Sequence, residues 1–116
     1  MANTFKVITK AGVTSADVIY TVAGSTTTII LGLIIGNTTS GAITSSVTLG
    51  TDTANRAGAN NETNQDVELV TSTAIPANSS LELLGGNKIV METTDTLSVV
   101  GSGAVDVALS IMEIDT

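Results

Sequence analysis

Cysteine and histidine are both missing from the 116-residue sequence. Without them the ordinary general base at neutral pH and the thiolate nucleophile are absent, and so is any disulfide framework. Tryptophan is missing too, and Phe5 and Tyr20 are the only aromatic residues, so no stacked aromatic platform for a carbohydrate is available. Bases are scarce: Lys6, Lys10, Arg56 and Lys88 stand against eleven acids, for a net charge of −7. Nucleic-acid binding depends on clustered cations that release counterions from phosphates, and four scattered ones under this net charge argue against it. The same acidity opposes an anionic membrane surface. The most apolar run, residues 29–35, is broken by Gly32 and falls far short of the ~20 residues of a membrane helix. Residues 1–10 lack the apolar stretch of a signal peptide, so secretion by the usual route is not expected.

What is present is strand and turn chemistry. β-Branched side chains are abundant, and they fit a pleated sheet while losing rotamer freedom in a helix. One domain spans 1–116, since the chain is too short for two. Strands are predicted at 5–9, 17–22, 26–35, 43–49, 66–71, 81–84, 88–92, 96–100 and 105–112, separated by turn signals at short intervals. Residues 29–35 lose polar alternation, so both faces of that strand should be covered. In the last strand Val105, Val107, Leu109 and Ile111 alternate cleanly with Asp106, Ala108, Ser110 and Met112. Pro76 is placed to set the first corner of a turn over 75–78, and Gly85-Gly86 suits a tight hairpin. Residues 50–64 are almost wholly polar and read as a long exposed loop. The expected fold is all-β: a compact antiparallel β-sandwich, jelly-roll-like, of eight or nine strands, with a partly open barrel as the alternative.

Chemistry-bearing patterns are few. Glu82 and Glu92 flank the Gly85-Gly86 hairpin, and two solvated carboxylates are favoured over an acid–base pair. Asp52, Glu62 and Asp66 bracket the long loop and supply hard oxygen ligands of the kind calcium takes, but without a recognised ligand spacing. Gly101-Ser102-Gly103 is a turn rather than a phosphate cradle, since no helix follows it. Asn37-Thr38-Thr39, Asn61-Glu62-Thr63 and Asn78-Ser79-Ser80 match the glycosylation sequon and are better read as turn residues. No catalytic, cofactor or metal residue is assigned, and no cofactor is expected. Arg56, with Asp52, Asn60 and Asn61, marks a loop that could hold a partner, because its guanidinium can grip a carboxylate bidentately.

Three stretches carry a resemblance. Residues 75–92, IPANSSLELLGGNKIVME, are similar to the IPA-x-SSLE…GNKIV-x-E stretch of small virion structural proteins of marine bacteriophages, cyanophages especially. VIYTV followed by TTTIILGL resembles their opening strands, and VALSIME resembles their close. The matches run in order along most of the chain and leave residues 50–64 unmatched. The resemblance implies a non-enzymatic structural protein of the phage particle, located in the virion after assembly in the host cytoplasm. Within that class the leading expectation is a capsid decoration (cement) protein bound to the major capsid protein or another virion protein. The alternatives are a neck or tail adaptor, a fibre-attachment module, or a receptor- or carbohydrate-binding module.

Self-association is expected on physical grounds, and a homotrimer is the form the resemblance favours. Ile30 and Ile34 lie on a strand apolar on both faces. Met112 and Ile114 lie on the face of the last strand opposite Val107, Leu109 and Ile111. A large apolar patch turned away from the core is usually an interaction site. These four residues are therefore the candidate oligomer interface.

Overall fold

The computed structural model describes residues 3–51, 66–84 and 87–115. They form nine strands: β1 (Asn3–Val13), β2 (Asp17–Thr21), β3 (Thr26–Asn37), β4 (Ile43–Gly50), β5 (Asp66–Ile75), β6 (Ser80–Leu83), β7 (Ile89–Met91), β8 (Thr96–Gly101) and β9 (Val105–Asp115). One sheet runs β1-β9-β3 and is completed by β6 and β7 on the far edge of β3; the other runs β2-β8-β4-β5. Every pairing is antiparallel. Two separate sheets make a β-sandwich rather than the partly open barrel. With β6 and β7 counted as one interrupted strand, the order is that of a jelly roll.

The core lies between the sheets and is aliphatic. Ile30, Leu33 and Ile35 of β3 and Leu109 and Ile111 of β9 meet Val47, Leu97 and Val99 of the second sheet, all of them buried. Each such side chain taken fully out of water contributes roughly 1.5–3 kcal/mol. Conformational entropy offsets most of that sum.

Three local expectations are corrected. The register of β3 against β9 shifts between Ile30 and Gly32, where a bulge inserts one residue. Strict alternation would put Ile30 and Ile34 on one face. The bulge instead turns Ile30 into the core at 0% exposure and leaves Ile34 outside at 46%. Ile30 is therefore a core residue and no part of a contact surface. The same finding shows that the outer face of β3 is not covered within one copy.

The second correction concerns the supposed hairpin. β6 pairs with Leu33–Gly36 of β3 and β7 with Thr28–Ile30 of the same strand. They are thus laid end to end along one edge rather than side by side. Glu82, opposite Ile34, and Glu92, just past the Thr28–Met91 pair, lie near opposite ends of β3 and do not face each other. Third, Pro76 is the first residue of its turn, accepting at its carbonyl from Ser79 N at 3.2 Å, so Ala77 takes the corner. The loop residues Asp52, Arg56, Asn60, Asn61 and Glu62 lie outside the described residues, and Asp66 opens β5.

Candidate functional site: the outer face of the first sheet

Alternation along each strand fixes which residues share a face. In β9, Val105, Val107, Leu109 and Ile111 are buried, so Ala108, Ser110 and Met112 point outward. The ladders then place their neighbours. Met112 stands opposite Phe5 on one side and Ile29 on the other, and Ile29 stands opposite Val90. Phe5–Met112–Ile29–Val90 is therefore a continuous apolar row across four strands. Phe5 is 71% exposed and Val90 53%. Ile114, one row further, faces Asn3 and Thr27.

Towards the other end of the sheet the outward residues become small. Ser110 faces Val7 and Gly32, and Ala108 faces Thr9 and Ile34. Beside the Ala108 row lies a depression of about 350 Å³ lined by Thr9, Lys10, Ala11, Ile34, Asp106 and Ala108, with Val107 also lining it. Its rim is held by a bulge in β1 between Lys10 and Val13. There Gly12 adopts a φ of 68°, a left-handed conformation that favours glycine, and its N–H donates to Asp106 Oδ1 at 2.9 Å. Lys10 is drawn off to Asp17, with Nζ 3.1 Å from Oδ2.

The second sheet presents a different outer face. Its equivalent row is Val18–Ser98–Thr48–Glu68, opposite pairs read from three ladders. Hydroxyls dominate there, as expected of a surface in contact with water. The sandwich is thus asymmetric: one outer face is hydroxyl-rich and the other is apolar.

A polar brace closes the gap between the sheets. The Tyr20 hydroxyl, from the second sheet, donates to Glu113 Oε2 of the first at 2.5 Å. It also lies 2.7 Å from Thr28 Oγ1, which is left to act as donor. Lys6 Nζ is 2.6 Å from the other carboxylate oxygen of Glu113. Burial, reinforced by the Glu113 hydrogen bond, pushes the Tyr20 phenol up to about 12. The hydrogen bond from Lys6, then that from Tyr20, holds the Glu113 carboxyl below its ordinary range. A phenol held protonated this firmly is a hydrogen-bond donor across the sheets. The signal for the brace was in the sequence: Glu113 continues the inward-facing series 105, 107, 109 and 111, where an acid needs a partner.

Of the four interface candidates, Ile34, Met112 and Ile114 lie on the apolar outer face, and Ile30 does not. Phe5, Val7 and Val90 belong to that face and were not singled out from sequence. Alternation in β1 groups Phe5 with Val7 and Thr9 but does not say which way the group turns.

No family model and no curated protein matches the chain. Among solved structures, one described as "Bacillus endospore appendages form a novel family of disulfide-linked pili" superposes with a TM-score of 0.51 at 15% identity. The match covers 99% of this chain and 87% of that one. The likeness is one of fold.

Proposed function

We infer that the protein is a non-enzymatic structural subunit of a bacteriophage particle, acting as a self-associating capsid decoration protein. The observation that carries the self-association is the outer face of the first sheet, where Phe5, Met112, Ile29 and Val90 form an uncharged apolar row on a chain of net charge −7. The sequence resemblance over residues 75–92 supports the placement in a phage particle, and it favours three copies. A decoration protein gains from repetition: several weak contacts to a closed shell add up when the copies are joined. Purified protein should co-sediment with empty heads of a marine cyanophage and not with isolated tails. Binding to tails would favour the neck or tail adaptor instead. Failure on both, with retention on a glycan array, would point to the receptor- or carbohydrate-binding reading.

The fold likeness to a pilus subunit favours a second reading, a subunit of a fibre. No cysteine is present in this sequence, so such a fibre would be held by sheet packing without disulfides. Negative-stain microscopy of concentrated protein separates the two: filaments support the fibre and discrete particles the decoration protein.

A further inference from the structure

The apolar face is not uniform, and its two halves fit each other. One half is a ridge of large side chains, Phe5–Met112–Ile29–Val90. The other is the depression of about 350 Å³ lined by Thr9, Ala108 and Ile34, with Lys10 and Asp106 also on its wall. Between them runs the row Val7–Ser110–Gly32, in which Ser110 and Gly32 are small and only the edge residue Val7 is large. We propose that the occupant of this face is a second copy of the chain, seated face to face about a two-fold axis that lies across the strands, over Ser110 and Gly32. Rotation about that axis exchanges the ridge row with the Thr9–Ala108–Ile34 row. Met112 of each copy then sits over Ala108 of the other, Phe5 beside it over Thr9, and Ile29 against Ile34. An isologous contact requires that each patch be the complement of itself under the rotation, and a ridge and a hollow on one face meet that requirement.

Three further observations favour a second copy. The central rows carry no charge, whereas two chains of −7 each repel through most other surfaces. Charges enter only at the ends. Lys10 and Asp106 line the hollow but are already engaged, Lys10 by Asp17 and Asp106 by the Gly12 N–H. Glu82 extends the row beyond Ile34, where it would meet Val90 at the edge of the footprint. Four strands about 4.8 Å apart and some eight residues long give a footprint of roughly 500 Å² per copy. Doubled, that is about 1,000 Å², the least expected of a biological interface and the size of a weak, reversible pair, which is why the test is made at high concentration. An axis along the strands would instead set ridge against ridge and leave the hollow empty. The inference deepens the self-association reading above and rests on it, but specifies a pair where the resemblance favours three.

The test uses the intact chain. Sedimentation equilibrium at high micromolar concentration should give the mass of two subunits. Phe5→Glu, at a position already exposed, should weaken the pair at least tenfold in Kd with an unchanged circular dichroism spectrum. Ala108→Glu, which fills the hollow with a charge, should do the same. Because the sequence has no cysteine, a single Ser110→Cys on the axis can be cross-linked by a short bismaleimide without background. It should give covalent dimers, and Thr21→Cys on the other sheet should not. A wild-type mass of one or of three subunits overturns the pairing. So does a dimer indifferent to both glutamates, or cross-linking no greater at residue 110 than at residue 21. Head binding is scored separately, so a decoration protein that pairs in another way is distinguishable from a chain that does neither.

Discussion

At the scale of single residues, two polar side chains do structural work that their surroundings make measurable. Asn37 is buried, and its Nδ2 donates towards the carbonyls of Gly41, Ile75 and Pro76 at 2.9, 3.0 and 3.1 Å. Its Oδ1 accepts from Thr39 N and Thr39 Oγ1 at 2.9 and 2.7 Å. One amide thus ties the end of β3 to two loops. This fits the sequence reading of Asn37-Thr38-Thr39 as turn residues rather than a glycan site. Asn37→Ala should cost about 2–3 kcal/mol in urea unfolding, since several buried groups lose their partner together. Asn37→Asp should cost at least as much, because it aims a carboxylate at three carbonyl oxygens. Tyr20 offers a spectroscopic test. As the sole tyrosine, its absorbance titration reports one group, and the midpoint should lie near 12 in the folded protein against 10.0 for a free phenol. The sign follows from linkage: a folded-state pKa raised above the unfolded one contributes stability that is complete below pH 10 and is lost as pH rises through 12. Glu113 acts at the other end, since its lowered pKa contributes stability present above 4.5 and lost as the solution becomes more acid. Glu113→Gln should lower the Tyr20 midpoint in the same titration only in part, because burial, the larger cause, remains.

At the scale of strands, alternation carried most of the fold and one extra residue set its limit. The strands of the sandwich, the inward set of β9 and the outward position of Met112 and Ile114 all follow from a period of two. That period cannot count a bulge, so the parity of β3 reverses between Ile30 and Gly32, and half of the expected Ile30–Ile34 pair went to the wrong side. A paired measurement checks the register. Ile30→Ala should lose about 2–5 kcal/mol of stability by opening a core cavity. Ile34→Ala in a dilute, monomeric sample should lose less than about 1 kcal/mol. Comparable losses at both sites would mean the bulge lies elsewhere. The β6–β7 arrangement was hidden for another reason. Two short strands around glycines look the same whether they fold back on each other or continue along a third strand. Only the length of β3, twelve residues, makes room for both on one edge. Likewise the brace joins Lys6, Tyr20 and Thr28, on three successive strands, to Glu113 at the far end of the described chain, and spacing along the sequence cannot place that acid beside them.

At the scale of the whole molecule, the separation of an apolar outer face from a hydroxyl-rich one sits on a body of net charge −7. Association of two such bodies should strengthen with salt: between about 0.01 and 0.15 M the screening length falls from roughly 30 to 8 Å. Sedimentation across that range should show the mass rising, whereas a contact built on ion pairs would weaken. The order of the first sheet has a temporal consequence as well. Its middle strand, β9, is the last of the described strands in sequence, yet it pairs with β1 along Asn3–Ile114 and with β3 along Thr26–Asp115. A ribosome therefore releases β1 long before the strand it pairs with, and β3, although it can meet β6 and β7 earlier, lacks its longest partner until β9 has emerged. Nascent chains stalled before residue 105 should be digested quickly by protease, and those stalled with residues up to 115 outside the exit tunnel should become resistant in one step. Refolding of the finished chain should take milliseconds to seconds, the pace of sheets closed by distant segments. Until then the edges of β1 and β3 that β9 will pair, and the core side chains of β3, lie open together, which makes the interval before β9 arrives the time when this chain is most prone to aggregate.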